Sequence, residues 1–161
     1  MQTTVISLGG SIVAPEGVDA VFLRDFVKLT RELLTADVDR RFIFVTGGGG
    51  PARAWQKAYR DVCRGFFPLA DEDADWIGVM ATRLNAQLVK AVMGDLCKDD
   101  VATDPSGDVA FTGRTLIAAG WKPGFSSDFD AVLLAEKFGA KTLVNLSNIE
   151  RVFTDDPGKN P

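Results

Sequence analysis

FIFVTGGGGPAR occupies residues 42–53. Phe42, Ile43, Phe44, Val45 and Thr46 are strand formers, four glycines follow, and Pro51 opens a helix containing Ala52, Ala54 and Ala58. Strand, bare backbone and helix start, in that order, let main-chain N–H groups approach a ligand with no Cβ in the way. The unpaired amides and the dipole at the helix start favour an anion there. Pro51 is expected at the first helical position, where no N–H is needed. Arg53 adds a guanidinium fork for phosphate or carboxylate. A single glycine pair would fit an empty turn equally well, but four in a row weight the reading toward a bound anion.

Working outward, residues 3–8, TTVISL, form a second β-branched run stopped by Gly9 and Gly10. Between the two runs, Phe22, Phe26, Leu29 and Leu33 recur at helical spacing, with Asp19 as N-cap. This order of strand, glycine turn and helix, twice over, predicts a parallel sheet covered on both faces. Residues 64–73 read as a loop in which Phe66, Phe67 and Leu69 serve as hydrophobic anchors or a subunit contact. A long helix is predicted over 74–96, its apolar side made by Ile77, Met80, Leu84, Leu88 and Met93. Asp75 sits at its start, where a carboxylate accepts backbone or ligand hydrogen bonds, and Arg83 and Asn85 read as a solvated face.

Residues 100–108 carry loop signals with room for a short strand or hairpin. A third strand is predicted over 115–119, ending in the turn GWKPGFSSD. Ser126, Ser127 and Asp128 then precede a helix through Val132, Leu133, Ala135 and Phe138, closed by Gly139. Residues 141–146 form a fourth strand, followed by the polar tail SNIERVFTDDPGKNP. The four strand-ending loops are expected on one sheet edge, the edge where ligands of parallel sheets bind.

A chain of 161 residues suits one compact domain, and its 46% apolar and 25% charged content is that of an ordinary globular protein. The net charge of -4 argues against a broad nucleic-acid surface. No run approaches the roughly 18 apolar residues of a membrane span, and MQTTVISLGG lacks the features of a secretory signal, so a cytoplasmic location is expected. Cys63 and Cys97 lie far apart in a chain without histidine, which disfavours a zinc site or a disulfide framework and suits two small buried hydrophobes. The lack of histidine also removes any imidazole base.

Neither glycine turn has the spacing of a P-loop or of the GxGxxG dinucleotide fingerprint. Phosphoryl transfer asks chiefly for alignment and charge neutralisation, which backbone amides, Arg53, Lys122 and a magnesium ion supply. Asp128 is the best carboxylate for orienting such groups, with a simple helix cap as an equal alternative.

These motifs together resemble the amino-acid kinase family, and within it the uridylate (UMP) kinases of the compact archaeal-like branch. The resemblance is carried by ISLGGSIVAPE, FVTGGGGPAR, DWIGVMATRLNAQL, AAGWKPGFSSDFDAVLLAEKFGA and LSNIERVFTDDPGKNP. It implies a three-layer α/β/α sandwich with a mainly parallel central sheet. It implies ATP-dependent phosphorylation of UMP to UDP with magnesium, in a homohexamer. By position, Gly9 and Gly10 are expected at the transferring phosphates, and Gly48 and Gly49 with Arg53 at the acceptor phosphate. Asp75 is expected at the acceptor ribose, with Thr82 nearby. Ser126, Ser127 and Asp128 are expected to touch the acceptor and organise the loops, and Ser147, Asn148, Phe153 and Asp156 to border ATP.

At Ser7 many relatives carry lysine, although members of the compact branch also lack it; the chain departs from the pattern at Glu150 and Arg151, which replace an Asp-Gly pair. The family continues past the DDPGKNP segment. Residues 1–161 are therefore expected to form a single domain lacking the C-terminal part of the ATP-binding half. Two alternatives stand beside the kinase: a nucleotide- or oxyanion-binding storage protein of the same family, and a kinase for another small phosphate or carboxylate acceptor.

Overall fold

Strand β2, Arg40–Thr46, shows how the layers arise. Successive side chains leave a strand on opposite faces, so Phe42 and Phe44 enter one hydrophobic core while Ile43 and Val45 enter another. In the computed structural model, which describes residues 1–148, β2 lies inside a four-stranded sheet of order β3-β2-β1-β4. Its partners are β1, Gln2–Leu8, β3, Thr115–Ala118, and β4, Thr142–Leu146, and every pairing is parallel. Val5 stands level with Ile43, and Ile43 with Leu116. Residues 100–108 contribute one isolated parallel bridge, from Ala102 to Ala118.

The helices are α1, Gly10–Val13, α2, Ala20–Ala36, α3, Gly49–Cys63, α4, Asp71–Met93, and α5, Ser127–Lys137. Helices α2 and α4 cover the Phe42/Phe44 face, and α5 covers the Ile43/Val45 face. This is the expected three-layer α/β/α sandwich with a parallel sheet. Its central side chains, Leu8, Ile43, Phe44 and Leu116, are at most 1% exposed. Each such burial stabilises the fold by roughly 1.5–3 kcal/mol.

Local signals set the helix ends. The Asp19 carboxylate accepts the Phe22 N–H at 2.9 Å to start α2, and the Ser126 hydroxyl accepts the Phe129 N–H at 3.2 Å to start α5. Asp71, Glu72 and Asp73 complement the dipole at the start of α4, and Gly94, at φ 55, ends it. Gly139 closes α5 at φ 60. Cys63 and Cys97 are free and buried, as expected. Among the described residues no helix is long and apolar enough to cross a membrane.

Several expectations need correction. Pro51 is the third residue of α3, because Gly49 takes the left-handed φ of 64 and Gly48 serves as N-cap. The ring is tolerated there because first-turn amides have no helical acceptor. The buried side of α2 is Leu23, Phe26, Thr30 and Leu34, while Leu29 faces solvent. Thr30 enters the core by returning its hydroxyl to Phe26 O at 2.8 Å.

On α4 the packed face is Ala74, Val79, Ala81, Asn85, Ala86, Val89 and Met93, and Met80 and Leu84 are 57% and 68% exposed. On α5 Val132 faces out, and Asp130 lies buried with Ala131, Leu134 and Ala135. Phe66, Phe67 and Leu69 are exposed and do not anchor their loop. The expectations placed on Glu150, Arg151, Phe153 and Asp156 lie outside the described residues.

Candidate functional site

At the carboxyl ends of β1 and β2 the two glycine turns touch backbone to backbone. The Gly47 N–H donates to Leu8 O at 3.0 Å, and the Gly50 N–H to Ala14 O at 2.8 Å. A Cβ on Gly10 would fall 2.1 Å from Gly49 N and 2.6 Å from the Gly47 carbonyl carbon. A Cβ on Gly49 would fall 2.3 Å from Gly10 O. Glycine is demanded at both positions by close approach, and at Gly49 also by its φ. The amides of Gly10, Gly48 and Gly49 have no backbone acceptor among the described residues. They are available to oxygens of an anion.

Beside this contact lies a cleft of about 570 Å³. All seven residues expected on the acceptor side, Gly48, Gly49, Arg53, Asp75, Thr82, Ser126 and Ser127, line it. One wall is the start of α3 with the first half of α4; the other is the loop of residues 120–125 and the start of α5. Arg53 and Lys122 put cations on facing walls. The Arg53 guanidinium donates to Pro15 O at 2.9 Å, which holds the segment after α1 against α3. The Lys122 ammonium lies 3.9 Å from the centre of the Trp121 ring and 5.2 Å from that of Phe125. Aromatic faces thus hold it in place without neutralising its charge.

Helix α4 fixes both glycine turn and loop, and two of the residues responsible, Arg83 and Asn85, are ones expected on a solvated face. Asn85, 3% exposed, donates its amide to Gly47 O at 2.8 Å and Gly48 O at 3.2 Å. Arg83 donates to Trp121 O at 2.8 Å and to Gly120 O at 3.4 Å. The Thr82 hydroxyl donates to Val79 O at 2.6 Å and accepts the Gly120 N–H at 2.8 Å, so its role is to seat the loop. Asp75, in the second turn rather than at the start of α4, accepts the Gly124 N–H at 3.1 Å. Asn85 was detectable in principle, since it shares a helical face with Ala81, Ala86 and Val89.

Gly9, Gly10 and Asp128 do not line the cleft but lie beside it. Gly9 donates its N–H to Leu146 O at 2.8 Å, and a Cβ on it would come within 3.5 Å of Ser147 Cα. Ser147 therefore adjoins the first glycine turn. Asn148 follows it in the chain. Asp128 is not the cap of α5, a role taken by Ser126. Its Oδ1 accepts the Ser7 hydroxyl at 2.6 Å and the Asn145 amide at 3.3 Å. The site is thus two touching amide turns, an adjoining cleft with two cations, and one carboxylate held over the ends of β1 and β4. Such an arrangement can grip two anionic groups side by side.

The amino acid kinase family is matched over residues 2–161. A uridylate kinase from Methanospirillum hungatei is 35% identical over 164 residues, covering 100% of this chain and 65% of that protein. One from Methanocorpusculum labreanum is 32% identical over 162 residues, covering 99% and 66%. The chain thus spans just under two thirds of the length of these relatives. Among solved structures, the uridylate kinase from Archaeoglobus fulgidus superimposes with a TM-score of 0.78 at 29% identity, covering 98% of this chain and 68% of that one.

Proposed function

Because this chain belongs to the amino acid kinase family, we propose that it moves the terminal phosphoryl group of ATP to UMP, giving UDP and ADP. The observation that carries this reading is the contact of Gly10 with Gly49 beside a cleft lined by Arg53, Asp75 and Ser127. Two phosphates bound at touching turns are already neighbours, and proximity with alignment is most of what phosphoryl transfer requires. The similarity to uridylate kinases from Methanospirillum hungatei and Archaeoglobus fulgidus supports UMP as the acceptor.

In this reading Gly48, Gly49 and Arg53 receive the acceptor phosphate, and Asp75 receives the ribose. Thr82 and Ser126 hold the cleft wall, and Ser127 faces the acceptor. Gly9 and Gly10 face the transferring phosphate, and Ser147 and Asn148 border ATP. Asp128 orients the donor side from its seat between Ser7 and Asn145. Magnesium, when bound, neutralises charge between donor phosphates. Among the described residues no three acidic or thiol groups gather to hold a metal.

The reading includes a cytoplasmic homo-oligomer, a hexamer by resemblance. Its support is the exposed apolar strip of Trp55 on α3 and Trp76, Met80 and Leu84 on α4, a face suited to a second copy.

The test is incubation with magnesium-ATP and, separately, UMP, CMP, acetylglutamate and carbamate, following ADP release. Release stimulated by UMP above the others is expected. Preference for another acceptor replaces UMP, and tight UMP binding by calorimetry without any release removes the kinase assignment.

A further inference from the structure

Asp130 is fully buried in the first turn of α5, and its Oδ1 has no hydrogen-bond partner among the described residues. Its Oδ2 accepts the Trp121 N–H at 3.1 Å. A carboxyl so placed is costly to keep, since a buried polar oxygen without a partner loses its hydration for nothing in return. The position on α5 is otherwise apolar, shared with Ala131, Leu134 and Ala135.

The loop of residues 120–125 forms one wall of the cleft and carries Lys122 and Phe125 into it. Its tethers to Thr82, Arg83 and Asp75 all come from α4. Among the described residues, Asp130 supplies the tether from α5. We propose that Asp130 is a positioning residue, which holds the loop from the α5 side and thereby sets the width of the acceptor cleft and the reach of Lys122. Burial pushes its carboxyl up from the ordinary value, with the Trp121 N–H acting in the opposite sense. The buried site therefore favours a neutral acceptor, and an amide oxygen should serve as well as the acid.

This inference rests on the cleft being the UMP site, so two readouts are needed. The first is amide hydrogen exchange at Trp121 without nucleotide, which reads the tether alone. The second is the UMP dissociation constant by calorimetry. Asp130→Ala is expected to speed Trp121 exchange and weaken UMP, each by about tenfold, the scale of one hydrogen bond. Asp130→Asn is expected to restore both to within about twofold of the parent. A merely structural residue would alter melting temperature without this paired loss and rescue.

Unchanged Trp121 exchange in Asp130→Ala removes the tether. Faster exchange with unchanged UMP affinity removes its link to the cleft. If Asp130→Ala does not fold, fast Trp121 exchange in Asp130→Asn overturns the proposal, and parental exchange with parental UMP affinity supports it. Failure of the parent to bind UMP overturns the site reading and, with it, the link to the cleft.

Discussion

The Ser7 hydroxyl donates to Asp128 Oδ1 at 2.6 Å, joining two residues that lie 121 positions apart in the chain. The bond runs from the last turn-facing part of β1 to the first turn of α5, and Asn145 of β4 meets the same oxygen at 3.3 Å. A neutral hydroxyl thus positions the Asp128 carboxyl group. Ser7→Ala is expected to lower kcat for UMP phosphorylation about tenfold while leaving UMP affinity within about twofold, the loss of one hydrogen bond to a charged group. Steady-state kinetics with UMP varied checks it, and a rise in KM alone contradicts it.

Gly10→Ala places a methyl group 2.1 Å from Gly49 N, where backbone must move to admit it. Destabilisation of about 3 kcal/mol or more is expected, beyond ordinary overpacking because neither neighbour has a side chain to rotate. Gly17, with nothing within 4 Å of its added Cβ, provides the control, and Gly17→Ala should stay within about 0.5 kcal/mol of the parent. Urea denaturation of the two variants gives the comparison.

Arg53→Ala is expected to weaken UMP binding by about 1.5–3 kcal/mol, the value of a hydrogen bond to a charged group. Its bond to Pro15 O also goes, but that contact is exposed and adds little. Isothermal calorimetry decides, and parental affinity would remove Arg53 from the acceptor site.

Asn85→Leu leaves the carbonyls of Gly47 and Gly48 without their donor. A cost of about 1–3 kcal/mol in stability is expected from unpaired buried oxygens, together with weaker UMP binding through the displaced turn. Replacement of the exposed neighbour by Leu84→Gln should leave both unchanged in the monomer.

Burial alone would raise the Asp99 carboxyl, but the Thr112 hydroxyl and the amides of Gly113 and Thr112 outweigh it and hold the group below its ordinary value. A carboxylate depressed in the folded state adds stability above its unfolded pKa, and that contribution is lost as pH falls through the folded value. Asp99→Asn is therefore expected to lower the melting temperature near neutral pH and to narrow its fall between about pH 5 and about pH 2. Parallel melting curves of variant and parent across that range would contradict the assignment.

The strands and both glycine turns were legible because short β-branched runs ended by glycine admit few other readings. The parallel order of the strands placed the two glycine turns on one edge, whereas the grouping of Arg53, Asp75 and Ser127 was implied by the resemblance. The buried faces of the helices were legible only in part: Phe22, Phe26, Leu33, Leu88 and Met93 lie in or against the core, while Leu29, Met80 and Leu84 are exposed. On α4 two apolar series satisfy helical spacing, Ile77, Met80, Leu84 and Leu88 on one side and Val79, Ala86, Val89 and Met93 on another. The choice falls to the side with Ala81 and Gly78, because small residues let α4 approach the glycine turn and α3. An added Cβ on Gly48 would already meet Ala81 Cβ at 3.7 Å, and one on Gly78 would strike Gln56 Nε2 at 2.7 Å. Larger residues such as Met80 and Leu84 were left outside by that closeness. The role of Asp130 was illegible for a related reason: its partner is a main-chain atom, which leaves no mark in composition or spacing.

The meeting of Gly10 with Gly49 also limits how chains of this architecture can diversify. Where main chain rests on main chain there is no graded series of substitutions, so the gap between the two anion seats is an inherited constant. Change in what the adjoining cleft admits has to be written on its other wall, in residues 120–125, where side chains can be exchanged one at a time.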